Sequence, residues 1–350
     1  MRYKPDWDQA KRRLEAWWHG EVLDRPVIQV TARRKDAPPA TEWDVLWPSN
    51  LLKGAEAIVS RFEAYCEQTY FGGEAFPNLW INLGPGIMAA YVGATPHFRD
   101  NTTWFETPTE WDALAHLAFD PDNEWWQLTR ALTSGALERG RERFLVGMTD
   151  LGGNLDIVAS LRGAQRLATD LLDSPAQVKT LCDRVNELWF RYYAGQYDLV
   201  RDKMEGTSAW MGIWSPGRWY PIQCDFSALI SPRMFAEFAL PYLAEQCRWL
   251  DHAIYHWDGP GQIPHLDLLL DIKELDGIQW VPGAGAAPAS SPQWFPLYKR
   301  ILAAGKNLVL CDVAPEQVEP LIRELGPRGI LIQTTCRTEE EADALLKRAT

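Results

Sequence analysis

The sequence predicts an α/β fold, a single (β/α)8 TIM-like barrel with an N-terminal helical extension. Short apolar runs bounded by Gly and Pro occur eight times along the 350 residues, which is typical of strands buried on both faces. Helical patterns separate these runs. The last four runs begin at residues 253, 277, 307 and 329, and this spacing fits one strand, one helix and two loops per repeat. An open doubly wound sheet is the alternative.

The chain opens with an amphipathic pattern over residues 8–20, with Gly20 as a natural stop. We expect residues 1–24 to pack, as a helix, on one barrel domain that spans residues 1–350, because no linker rich in Ser or Gly divides the chain. The apolar face of this predicted helix comprises Ala10, Leu14, Trp17 and Trp18.

Eight strands and several helices are predicted after this segment. A helix over 231–250 begins with Ser231 as N-cap and Pro232 at its first position. Another begins at Pro315, and Thr338 with Glu341 forms a capping-box pattern for the last one. Residues 85–143 show only weak periodicity, which predicts an excursion or a lid. The predicted strands are 26–31, 79–83, 144–149, 207–213, 253–256, 277–281, 307–311 and 329–333.

Composition excludes several classes of protein. The net charge of −12 argues against a protein that binds nucleic acid or an anionic membrane. No run approaches 18 apolar residues, and the charged first residues do not resemble a signal peptide. Six scattered cysteines predict free thiols in a reducing compartment. We therefore expect a soluble cytoplasmic protein that acts on a small molecule. The oligomeric state is left open.

Polar and aromatic side chains follow the predicted strands, where barrels place their active sites. Asp150, Asp156 and His256 are the candidate catalytic residues, because a carboxyl and an imidazole can move protons. Gly84-Pro85-Gly86 is either a tight turn or an anion-binding loop. Motifs of the GxSxG, GxxxxGKS and HExxH types do not occur. Candidate substrate-binding residues are Arg33, Asn154, Trp210, Trp214, Trp257, Gln279 and Trp280, with core packing as the expected role of at least half of the tryptophans near strand ends.

His256, Asp258 and Cys336 form a candidate metal site. Zinc accepts imidazole nitrogen, carboxylate oxygen and thiolate sulfur, and three protein ligands leave a position open for chemistry. His256 and Asp258 are two residues apart on a predicted strand, so their side chains point to the same side. The alternative is that His256 hydrogen-bonds substrate and that Cys336 is a small packed residue.

Three segments carry a resemblance to a known family. They are RRLEAWWHGEVLDRPVI at 12–28, FLVGMTDLGGNLDIVASLRG at 144–163 and DFSALISPRMFAEFALPYL at 225–243. Together they resemble the uroporphyrinogen decarboxylase superfamily, which includes the cobamide:coenzyme M methyltransferases. This resemblance covers most of the chain and implies a single distorted (β/α)8 barrel.

Within that superfamily the chain resembles the methyltransferase branch more than the true decarboxylases. The decarboxylases carry Met-Arg-Gln-Ala-Gly-Arg after the first strand, where this chain has VTARRKD at 30–36. The methyltransferases carry His-x-Cys-Gly where this chain has His256-Trp257-Asp258-Gly259, and a zinc-binding cysteine where it has Cys336. Asp258 in place of cysteine is the departure.

The resemblance implies a zinc-dependent methyl transfer to a thiol-type acceptor from a small methylated donor or from a corrinoid on a partner protein. The metal lowers the pKa of the acceptor thiol. Two alternatives stay open. One is metal-free decarboxylation with Asp150 or Asp156 as the acid, and the other is a small-molecule or sugar-binding barrel without catalysis.

Overall fold

Strands alternate with helices through most of the chain, and a computed structural model describes residues 1–37, 53–99, 102–105 and 110–349. The eight predicted apolar runs each contain a strand, which confirms the mixed α/β class. The strands are β1 Val27–Arg33, β2 Thr69–Gly73, β3 Asn78–Trp80, β4 Pro96–Phe98, β5 Thr103–Phe105, β6 Leu145–Gly147, β7 Thr207–Ser208, β8 Trp214–Ser215, β9 Trp219–Gln223, β10 His252–Asp258, β11 Gly277–Val281, β12 Asn307–Leu310 and β13 Ile330–Thr338.

Helices connect these strands and cover the sheet. They are α1 Trp7–Trp18, α2 Ala55–Gln68, α3 Met88–Tyr91, α4 Trp111–Leu114, α5 Glu124–Gly140, α6 Asn154–Arg162, α7 Ala164–Asp173, α8 Pro175–Val200, α9 Pro232–Phe238, α10 Leu240–Trp249, α11 Leu266–Leu270, α12 Phe295–Ala303, α13 Pro315–Leu325 and α14 Glu339–Arg348. Short 3-10 helices span Asp225–Leu229, Pro260–His265 and Pro292–Trp294.

Seven strands form the central sheet in the order β2-β1-β13-β12-β11-β10-β9. Every neighbouring pair is parallel except β2 with β1. Strands β3 and β6 form a separate parallel pair, and a bridge joins Met148 to Ala209. In the described part of the chain the hydrogen bonds do not close these strands into a ring, so pairing alone neither establishes nor excludes a barrel.

Helix boundaries follow local chemistry. Helix α1 ends before Gly20, which has φ of 67°, as predicted. The predicted 231–250 helix is instead divided into α9 and α10 at Ala239. Pro241 explains the break, because its ring lacks an N–H and crowds the preceding turn. The Ser231 side chain caps α9 by accepting from Met234 N at 3.3 Å.

The two termini of the described chain are anchored to the sheet. Trp18 of α1 donates from Nε1 to the carbonyl of Trp214 at 2.9 Å, and Asn307 of β12 donates to the carbonyl of Trp17 at 3.1 Å. Thr338 caps α14 by accepting from Glu341 N at 3.2 Å, which confirms the predicted cap. No helix among the described residues is both long enough and apolar enough to cross a membrane.

Candidate functional site

Strand β10 places His256 beside polar side chains of its two neighbours. In the parallel register His256 lies opposite Gln223 of β9 and Gln279 of β11. Side chains directly in register point to the same face of a sheet, and this face alternates along each strand. His256 and Asp258 therefore lie on one face of β10, while Trp257 lies on the other.

Gln279 determines which ring nitrogen of His256 carries a proton. Its Oε1 lies 2.6 Å from His256 Nδ1, and an amide oxygen can only accept a hydrogen bond, so Nδ1 is the protonated nitrogen. The Gln279 amide nitrogen donates to Cys311 Sγ at 3.0 Å, which fixes this orientation. In the neutral imidazole the lone pair is then on Nε2, free to bind a metal or take a proton.

Asp225 begins the 3-10 helix that follows β9, and α6 holds it in place. The carboxylate of Asp156 accepts from the backbone N–H groups of Asp225 at 3.0 Å and Phe226 at 2.8 Å. Gly153 allows this approach, because a Cβ there would collide with the backbone carbonyl of Gln223. Asp156 is thus a positioning residue for Asp225.

Asp225, His256 and Asp258 converge at the carboxyl ends of neighbouring strands β9 and β10. One ligand atom from each lies within 4.8 Å of the others. Two carboxylate oxygens and one imidazole nitrogen are donors that zinc and similar divalent ions accept. These three residues therefore fit a divalent ion and leave coordination positions for water or substrate.

A fourth carboxyl, Asp150, lies close to this cluster and is buried. It accepts from Gly152 N at 2.9 Å and from the hydroxyl of Tyr220 at 3.2 Å. Burial raises the pKa of Asp150 to about 6, although these hydrogen bonds and nearby His256 act in the opposite direction. Asp150 can therefore hold or release a proton near neutral pH.

Crowded carboxylates also affect Asp156 and Asp225. Burial and the Asp225 carboxylate raise the pKa of Asp156. Loss of solvation and repulsion from Asp258 and Asp150 raise the pKa of Asp225. A cation in this cluster would relieve that repulsion.

Cys336 lies apart from this cluster. On β13, Thr335 shares a face with Thr31 of β1, and their hydroxyls are 3.0 Å apart. Cys336 is the next residue, so it points to the opposite face and is buried in the core beneath α14. Burial raises the pKa of its thiol, and Glu341 and Arg348 of that helix are the nearby charges. The third position of the predicted triad is taken by Asp225.

Three of the tryptophans named as binding candidates are packed in the core, which is the alternative that the sequence analysis left open for them. Trp257 and Trp280 are fully buried and in register on the face of the sheet opposite His256, with ring centroids 4.6 Å apart. Trp214 is buried and donates from Nε1 to the carbonyl of Glu205 at 2.6 Å. Trp210 does lie at the site, since its ring is perpendicular to that of His256 at 5.1 Å.

The remaining candidates divide between the site and the frame around it. Asn154 is buried and donates to the carbonyl of Cys182 at 2.8 Å, so it joins α6 to α8. Arg33 is exposed at the end of β1, 3.4 Å from Gln68 Oε1. Gly86 of the Gly-Pro-Gly turn gives its N–H to the Asp150 carboxylate, so this turn supports Asp150.

Asp225 is the site residue that sequence reasoning missed. Its signal is the apolar segment WYPIQC at 219–224, which forms β9 and was not counted among the eight runs. Asp225 follows that strand directly, in the same relation that Asp258 has to β10. A ninth run would have placed Asp225 on the same rim.

No family model matches the sequence, and no curated protein matches it.

Proposed function

We propose that the protein is a metal-dependent enzyme of the methyltransferase type, built on a (β/α)8 barrel. The observation that carries this proposal is the convergence of Asp225, His256 and Asp258 within 4.8 Å at the carboxyl ends of β9 and β10. The resemblance to the cobamide:coenzyme M methyltransferases suggests the reaction. Zinc is the first candidate for the ion, and a corrinoid on a partner protein is the first candidate for the methyl donor.

The barrel itself is part of the proposal. The parallel order β1-β13-β12-β11-β10-β9 and the separate parallel pair β3-β6 are the segments that a closed ring would join. In such a ring the ends of β6, β9 and β10 open at one rim, and these ends carry Asp150, Asp225 and His256. Their mutual proximity supports the closed arrangement.

The side chains would divide the work of methyl transfer. A divalent ion held by Asp225, His256 and Asp258 would supply Lewis acidity, which lowers the pKa of an acceptor thiol. The new S–C bond forms as the bond between donor and methyl group breaks, and the donor keeps that electron pair. The thiol proton must leave, and we assign Asp150 as its acceptor because burial raises the pKa of this carboxyl to about 6.

Activity with defined small molecules tests this proposal. Chelator-treated protein receives methylcobalamin and 2-mercaptoethanol, and demethylation is followed by the change in cobalamin absorbance. We expect turnover that returns with added zinc in the wild-type protein and is lost in Asp258→Asn. Zinc-independent turnover would contradict the proposal.

A metal-free decarboxylase is the second candidate, and Asp150 is the observation that favours it. A buried acid with a raised pKa can protonate a substrate carbon in exchange for lost carbon dioxide. Release of carbon dioxide from uroporphyrinogen by chelator-treated protein, lost in Asp150→Asn, would support this reaction over methyl transfer.

A further inference from the structure

A cavity of about 330 Å³ lies beside the metal-type cluster, between β1, β13 and the segment that follows β7. Trp210 separates the two, because its ring lines the cavity and also lies 5.1 Å from the His256 ring. A ligand in the cavity would therefore reach the cluster past one side chain. Six aromatic residues line it: Phe62, Tyr65, Phe71, Phe76, Trp80 and Trp210.

The wall at Trp210 is rigidly supported by side-chain amides. Asn78 donates to the carbonyl of Ala209 at 2.8 Å, Gln333 to that of Met211 at 3.0 Å, and Gln29 to that of Gly212 at 2.8 Å. Gln333 also donates to Gln29 Oε1 at 2.7 Å. Each amide comes from a different strand, so the cavity is a preformed feature of the sheet.

The described residues that line the cavity carry negative charge and no positive charge. Among the described lining residues Asp312 is the charged one, and none is Lys, Arg or His. Asp312 follows β12 with φ of 53°, a left-handed backbone conformation that is uncommon for residues other than glycine. The two arginines at the end of β1 have partners outside the lining of the cavity: Arg33 lies 3.4 Å from Gln68 Oε1, and Arg34 Nε donates to the carbonyl of Thr69 at 2.9 Å.

We propose that this cavity binds a small organic cation with an apolar ammonium-type head. Aromatic faces attract such a cation through their quadrupoles, and Asp312, the charged residue among the described lining residues, supplies the opposite charge. An anion would be repelled by Asp312 and, beyond Trp210, by the carboxylates around His256. That this cation is the substrate rests on the proposed function, whereas its binding does not.

Binding of three probes of similar shape and different charge tests the proposal. Choline is the cation, 3,3-dimethylbutan-1-ol is its neutral counterpart and 3,3-dimethylbutanoate is the anion. Calorimetry on chelator-treated full-length protein measures each dissociation constant. We expect choline to bind about tenfold more tightly than the alcohol, and the anion to bind most weakly. Equal binding of choline and the alcohol, or tighter binding of the anion, would overturn the proposal.

Variants localise the binding. Asp312→Asn is expected to reduce choline affinity about tenfold and leave the alcohol unchanged, and Trp80→Leu to weaken both. Trp249→Leu is the matched control, because Trp249 is also half-buried but lies before the start of β10. If Trp80→Leu binds choline as the wild type does, the cavity is not the site.

A zinc titration of the same preparation separates this inference from the proposed function. Choline binding without zinc binding would leave the cavity assignment standing and remove the metal-dependent enzyme. Zinc binding without any preference for choline over the alcohol would leave the metal-dependent enzyme standing and remove the cavity assignment.

Discussion

Two faces of the same strands have opposite chemistry. On one face of β10 and β11, His256 and Gln279 are in register and joined by a hydrogen bond of 2.6 Å. On the other, Trp257 and Trp280 are in register and packed ring to ring, with Trp294 5.0 Å from Trp280. Neighbouring residues of one strand, such as His256 and Trp257, therefore belong to the polar cluster and to the apolar core respectively.

This contrast shows what each face contributes. The face that carries Trp257 and Trp280 buries large aromatic area and supplies folding free energy. The face that carries His256 lies near four carboxyls. Burial raises the pKa values of three of them, Asp150, Asp156 and Asp225, which indicates that keeping these groups ionised costs stability. Changes on the two faces should therefore separate stability from binding.

Trp257→Ala should have the largest effect, and it should fall on stability. Removing a fully buried tryptophan is expected to lower the free energy of unfolding by about 3–5 kcal/mol, because a cavity is left behind. Urea denaturation measures this loss. Zinc affinity of the folded fraction at low temperature should stay near that of the wild type, and its loss would show that the two faces are not separable.

Asp150→Asn should instead stabilise the protein above pH 6. Asp150 has a folded pKa of about 6 against an ordinary 3.8, so the folded state binds its proton more tightly and the ionised form costs stability. This cost is absent below pH 3.8, grows as the pH rises to 6 and is then constant, at about 3 kcal/mol. The expected gain for Asp150→Asn at pH 7.5 therefore disappears near pH 4.

Urea denaturation across pH 4–8 tests this sign. Asp112→Asn is the control, because Asp112 is exposed on α4 and far from the cluster in sequence. A variant that is less stable than the wild type at pH 7.5 would mean that the hydrogen bonds from Gly152 and Tyr220 outweigh the cost of burial.

Gln279→Leu should weaken metal binding without a matching loss of stability. The acceptor for His256 Nδ1–H disappears, so the ring is free to rotate and its Nε2 is no longer directed at Asp225 and Asp258. Loss of such a partner typically costs about 10–100-fold in metal affinity. Gln279→Glu keeps an acceptor oxygen and should retain most of the zinc affinity. Equal zinc affinity in the wild type and in both variants would show that Gln279 does not position His256.

Cys336→Ser should have the smallest effect. A hydroxyl in the core beneath α14 is expected to cost about 1–2 kcal/mol of stability, because a polar group is buried. Zinc affinity should not change. A large loss of zinc affinity would return Cys336 to the site and contradict the separation of the two faces.

Periodicity and chain order account for what the sequence could predict. The eight apolar runs marked strands, and the rule that sites follow strand ends selected Asp150, His256 and Asp258 as candidates. Orientation was harder. Trp257 follows the run 253–256 and Trp280 lies in the run 277–281, and each stands next to a polar residue, His256 or Gln279, whose side chain points to the opposite face. Selecting residues by their nearness to a strand end did not use this alternation.

Asp225, and not the predicted Cys336, lies beside His256 and Asp258 for a related reason. Cys336 lies on β13 after Thr335, and only the pairing of Thr335 with Thr31 shows that its thiol points away from the cluster. Asp225 depends on β9, whose central Pro221 is unusual in a strand. Pairing across the sheet, which a single sequence does not display, decides the orientation of Cys336, whereas Asp225 was missed because β9 was not counted as a strand.

The central claim is that β10 presents His256 to a metal ion, and a zinc titration of two histidine variants tests it most directly. His252 lies at the other end of the same strand, stacked on Trp18 at 4.3 Å, and is the matched control. We expect one zinc per chain in the wild type and in His252→Ala, and at least a tenfold weaker site in His256→Ala. No stoichiometric zinc in the wild type, or equal binding by both variants, would contradict the account.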